Sequence, residues 1–103
     1  MLRFILHYGI HFIVPIAIGL LFFKKELQLK IIAILLSGIL IDIDHIFANP
    51  IFDPNRCSIG FHILHSYWAI TAYIILLFFD KTRIIGLALI IHIIADITDC
   101  WLM

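Results

Sequence analysis

Apolar residues run almost unbroken through four stretches of this chain, residues 4–23, 29–48, 61–79 and 84–103. Polar breaks separate them: Lys24-Lys25-Glu26, the segment from Asn49 to Gly60, and Asp80-Lys81-Thr82-Arg83. Each stretch is close to the roughly 20 residues that a helix needs to cross bilayer hydrocarbon. Unpaired backbone amides have no partner in lipid, so the pattern predicts helix throughout these runs. Breaks this short turn neighbouring helices antiparallel. The expected fold is all-α, a polytopic membrane protein built as a four-transmembrane-helix antiparallel bundle, with residues 1–103 forming one transmembrane domain.

Composition strengthens that reading. Of the 103 residues, 64% are hydrophobic and 14% charged, against about 45–50% and about 25% in soluble domains. With a mean hydropathy of +1.17, so short a chain has too little polar surface to cover its apolar residues in water. The lipid bilayer is therefore the expected partner. Zero net charge gives no reason to expect a nucleic-acid partner. The first run has only Arg3 before it and no small-residue cleavage site after it, so it reads as a retained helix and not a secretory leader. Lys24, Lys25, Lys30, Lys81 and Arg83 gather at the first and third connections, which the positive-inside rule places in the cytoplasm. Both termini and the 49–60 loop then face the opposite side. Gly9, Gly19, Ser37-Gly38, Gly86 and Ala88 suit close helix approach, and Pro15 is placed to kink the first helix.

The ionisable residues change the picture from anchor to site. His7 and His11 open the first run; Asp42, Asp44 and His45 close the second; His62 and His65 open the third; His92, Asp96 and Asp99 lie late in the fourth. Alternating helix direction brings all ten into one leaflet. His7 and His11 share a face, and His92, Asp96 and Asp99 form an i, i+4, i+7 stripe. Asp44, about 200° round an α-helix from Asp42, must reach a different neighbour unless the helix end unwinds. An aspartate at mid-bilayer costs about 2.5–3.5 kcal/mol, and the one lysine or arginine within the four runs, Lys30, lies at the opposite end of its run and offsets none of the four. Divalent metal resolves the imbalance: His and carboxylate are ligands for zinc, and also for manganese or iron. The ten groups supply donors for two or three ions, some serving to orient others.

The loop Asn49-Pro50-Ile51-Phe52-Asp53-Pro54-Asn55-Arg56-Cys57-Ser58 is expected over this site. Arg56 either holds an anionic oxygen such as phosphate or rests on solvent and headgroups. Cys57 and Cys100 lie on one side and are able to pair in an oxidising compartment, although a buried, inert Cys100 is the preferred reading. Trp101 reads as an interfacial anchor.

The run Asp42-Ile43-Asp44-His45, the pair His62 and His65, and His92-x-x-x-Asp96 together resemble the bacterial membrane-bound metal-dependent hydrolases of the inner membrane, grouped with the zinc-dependent phospholipase C and single-strand nuclease superfamily. His7-Tyr8-Gly9-Ile10-His11 and the Asn49–Cys57 phrase are also similar to a small family of short four-helix membrane proteins, over nearly the whole chain. The resemblance implies a phosphoesterase-like multi-zinc site with His45, His92 and Asp96 as the most transferable ligands. The soluble members are much longer, and the H-x-x-x-D motif occurs here once.

Two functions follow as expectations. The first is hydrolysis of a lipid or amphiphilic phosphoester, with Asp44 or Asp99 as general base and Arg56 holding the anion. The second is a proton or metal relay, for which four helices are few unless the chain forms a homo-oligomer. Haem ligation needs none of the aspartates, and a purely structural polar layer needs fewer groups than ten.

Overall fold

The computed structural model describes residues 2–49 and 55–103, and the regular structure among them is entirely helical. Helix α1 covers Leu2–Phe22. Helix α2 covers Lys25–Leu36 and continues as a 3₁₀ helix over Ser37–Phe47. A 3₁₀ turn at Ile63–His65 precedes α3, Tyr67–Leu76, and α4 covers Arg83–Trp101. Residues 50–54 of the predicted loop, with both its prolines and Asp53, lie outside the described residues.

Helices α1 and α4 are long and apolar enough to cross a membrane. The third run departs from expectation: α3 is only 10 residues, about 15 Å at the α-helical rise. Its start is set by Ser66, extended at φ −71° and ψ 161°, whose hydroxyl accepts the Ala69 N–H at 3.2 Å. This is an ordinary serine N-cap, and it leaves His62 and His65 ahead of the helix.

Two irregular windings shape the interior. In α1 the segment Gly9–Ile13 is a π-helical turn. Pro15 removes an N–H and crowds the carbonyl four residues back, at His11; the wider winding accommodates both and carries His11 inward. The 3₁₀ stretch repeats every three residues, so side chains three apart eclipse. Gly38, Ile41 and Asp44, its buried residues, form one such row. Asp42 and His45 form the next. Asp44 thus lies 120° from Asp42 the short way round, where an α-helix would hold it about 160° away. That is how both carboxylates reach the interior.

Helix α4 packs against α1, α2 and α3 and forms the spine of the bundle. Gly38 is what lets α2 approach it: a Cβ there would collide with the Ala88 backbone carbonyl. Gly9, by contrast, has open space beside it, so its expected part in helix packing is not realised. Ile31, Leu35, Ala88 and Ile91 close the interior on one side. Outward-facing positions are large and apolar, among them Leu29, Phe22, Trp68 and Trp101, while His65 and His92 are 0% and 1% exposed. Buried histidines and aspartates thus lie inside a surface rich in large apolar side chains.

A candidate metal centre

Four donors converge at the heart of the bundle. His65 Nε2 lies 3.3 Å from Asp42 Oδ1, 2.9 Å from Asp96 Oδ2 and 3.1 Å from His92 Nε2. His92 Nε2 lies 2.9 Å from Asp42 Oδ1 and 3.2 Å from Asp96 Oδ2. A tetrahedral zinc site with bonds of about 2.0–2.1 Å sets neighbouring ligand atoms about 3.3 Å apart. The donor set therefore fits a small divalent ion. Asp96 Oδ2 also has no aligned hydrogen-bond donor despite its two close nitrogens: the groups point at a common centre more than at one another.

His65 is held for this task. Its Nδ1–H donates to Asp44 Oδ2 at 2.8 Å, the arrangement in which a neutral ring keeps its lone pair on Nε2. The same oxygen accepts the Leu64 N–H at 2.8 Å, and the Tyr73 hydroxyl donates to the Leu64 carbonyl at 2.7 Å. A carboxylate behind a ligating histidine fixes its tautomer and orientation. Asp44→Asn is expected to weaken ion affinity about 10–100-fold, the usual cost of losing such a partner, read by competition with a chromophoric chelator.

A second donor set shares Asp96. His7 Nδ1 and His11 Nε2 each lie 3.8 Å from Asp96 Oδ1, and the three can hold an ion. His11 Nε2 is buried without a hydrogen-bond partner. Asp44, His45 and His62 form a third set within reach of one ion. Here the rings of His45 and His62 stack face to face, with centroids 3.9 Å apart, and His45 Nδ1 contacts the Asp42 carbonyl at 3.0 Å and Asp44 Oδ1 at 3.2 Å. Both Asp44 oxygens are engaged, so this set reads as a brace for the first.

Asp99 stands apart from all three. Arg3 binds it through two contacts, Nε to Oδ1 at 2.7 Å and Nη2 to Oδ2 at 3.1 Å. Asp99 is thus the ion-pair partner of Arg3, which stands just before the first apolar run. The signal was present, since Arg3, His7 and His11 follow i, i+4, i+8, opposite Asp99, Asp96 and His92 on α4. Tyr73 was also missed. Asp44 does not line the central cavity, and its oxygens are engaged by His65, the Leu64 N–H and His45.

That cavity, about 350 Å³, is lined by Arg3, Phe4, His7, Tyr8, His11, Ile39, Asp42, His45, Arg56, Ser58, His62, Asp96 and Asp99. Arg56 reaches it from the loop side, its guanidinium carbon 4.7 Å from the Phe61 ring centroid. Cys57 and Cys100 are joined by a disulfide, with Cα atoms 5.0 Å apart. The inert Cys100 is thereby overturned: the end of α4 brings it alongside the segment after Arg56, a proximity no sequence spacing encodes. Gly60, with φ +79°, turns that segment back so that its N–H reaches the His65 carbonyl at 2.9 Å.

The model of a family of unknown function (DUF6122) matches residues 1–103, and the chain belongs to that family. No curated protein and no solved structure matches it.

Proposed function

We propose that this member of the DUF6122 family is a membrane-embedded, zinc-dependent hydrolase of a lipid or other amphiphilic phosphoester. The observation that carries the proposal is the Asp42–His65–His92–Asp96 cage set beside a cavity that also holds Arg3 and Arg56. Cage, cations and apolar rim suit an anionic headgroup with a hydrocarbon tail. All four helical runs would lie in the bilayer, α3 with the Ile63–His65 turn before it crossing only part of the hydrocarbon. Loop charges would put the cage in the non-cytoplasmic leaflet. A disulfide beside it suits the same side, since such bonds persist in oxidising compartments. The resemblance to inner-membrane metal-dependent hydrolases points to the same membrane and chemistry.

Bound zinc would polarise a phosphoryl oxygen and lower the pKa of water. In the reaction the water oxygen bonds to phosphorus as the ester P–O bond breaks. One water proton ends on the departing alcohol and the hydroxyl stays on the phosphate. Arg3 and Arg56 would hold the anion, with Asp99 fixing the Arg3 guanidinium in place. With Asp44 engaged behind His65 and Asp99 paired, His62, buried and on the cavity wall, is placed to take the proton first. A relay across the membrane fits less well, because Ile31, Leu35, Ala88 and Ile91 fill the bundle beyond the cage.

The test is to load detergent-purified protein with zinc and offer mono- and diester phospholipids. Release of phosphate or alcohol that stops on chelation and returns with zinc is expected. Protein that holds zinc yet turns over none of these esters would reject the hydrolase.

A further inference from the structure

We infer that the ion which activates water sits not in the four-donor cage but at a second, open site formed by His7, His11 and Asp96, with Asp96 bridging the two. The inference rests on the metal reading above and divides the labour within it. Its ground is how Asp96 spends its two oxygens. Oδ2 faces His65 and His92 at 2.9 and 3.2 Å, whereas Oδ1 faces His7 and His11, each at 3.8 Å. A carboxylate with separate histidine pairs on its two oxygens is arranged as a bridge, the device that holds ions about 3.5–4 Å apart in two-metal hydrolytic sites.

The two sites differ in what they leave open. Structural zinc sites are closed by four protein ligands, and catalytic ones keep a position for water. The cage has four protein donors, and only its two carboxylates, Asp42 and Asp96, line the cavity, while His65 and His92 do not. His7, His11 and Asp96 supply three donors, and all three line it. His11 Nε2, buried and without a hydrogen-bond partner, is the atom an ion there would satisfy. The π-helical turn at Gly9–Ile13 has a role here, since it is the winding that carries His11 inward.

Cobalt(II) serves as the probe, with metal content and visible absorption as readouts. Wild-type protein is expected to retain about two equivalents, and His11→Ala and His7→Gln about one each. The ion that remains resists brief chelation and reports that the variant is folded. Inorganic phosphate added to wild type should change the absorption bands, and should leave those of His11→Ala unchanged. Two equivalents retained in both variants, a single equivalent in wild type, or a phosphate response that survives in His11→Ala would each overturn the open site while leaving the cage intact. Wild type with no ion at all would instead remove the metal reading on which both proposals stand.

Discussion

Asp96→Asn is expected to leave the purified protein without bound metal and with hydrolysis at background. The side chain is 6% exposed and belongs to two of the three donor sets. Losing a partner that merely orients a ligand costs about 10–100-fold in affinity, so losing a charged donor common to both sets must cost more than about 100-fold. The amide keeps the shape of the carboxylate but offers only a neutral oxygen. Asp99→Asn is the control. Its carboxylate meets Arg3 and belongs to none of the donor sets, so metal content should stay at the wild-type level while the hold on the anion weakens. Equal loss of metal in both variants would contradict the assignment of Asp99 to Arg3.

The second large effect is expected at the disulfide. Cys57 and Cys100 are 43 residues apart, and closing a loop of that size stabilises by about 4 kcal/mol in the chain-entropy model, with about 2–4 kcal/mol typical. A chain confined to a membrane has less freedom to lose, which favours the lower end. Cys100→Ser should therefore lower the melting temperature in detergent by on the order of 10 °C, at about 4–8 °C per kcal/mol for a domain this size. The same shift should follow reduction of wild type, and a reducing agent should do nothing further to the variant. Identical melting of oxidised and reduced protein would mean that the bond constrains nothing.

The stripes that build the centre were legible because they lie on regular helix. His92, Asp96 and Asp99 keep α-helical spacing in α4, and His7 and His11 keep to one face even through the π-helical turn. Asp44 shows where legibility ends. On an α-helix it points away from Asp42, and the sequence offers only a choice between another neighbour and an unwound end. Hydropathy does not distinguish 3₁₀ from α winding in an apolar run, so the threefold row of Gly38, Ile41 and Asp44 is visible only in the structure. Ser66 is a different case. Its capping chemistry was available, but a run of apolar residues on both sides masked it, and the third helix was drawn too long. Asp99 and Cys100 needed a distance. Their partners, Arg3 and Cys57, are 96 and 43 residues away, and such pairings are settled by how helices dock.

The apolar packing of Ile31, Leu35, Ala88 and Ile91 has an electrical meaning in the proposed setting. A charged, wettable chamber reaching halfway into a bilayer thins the dielectric that separates two compartments. Were it continuous with the far side, protons could hop along its histidines and drain the gradient that an energised membrane maintains. Tight branched and small side chains at that depth would leave no room for a file of water, so in that setting the bundle would keep ionisable chemistry in one leaflet and serve, in the other, as insulating dielectric.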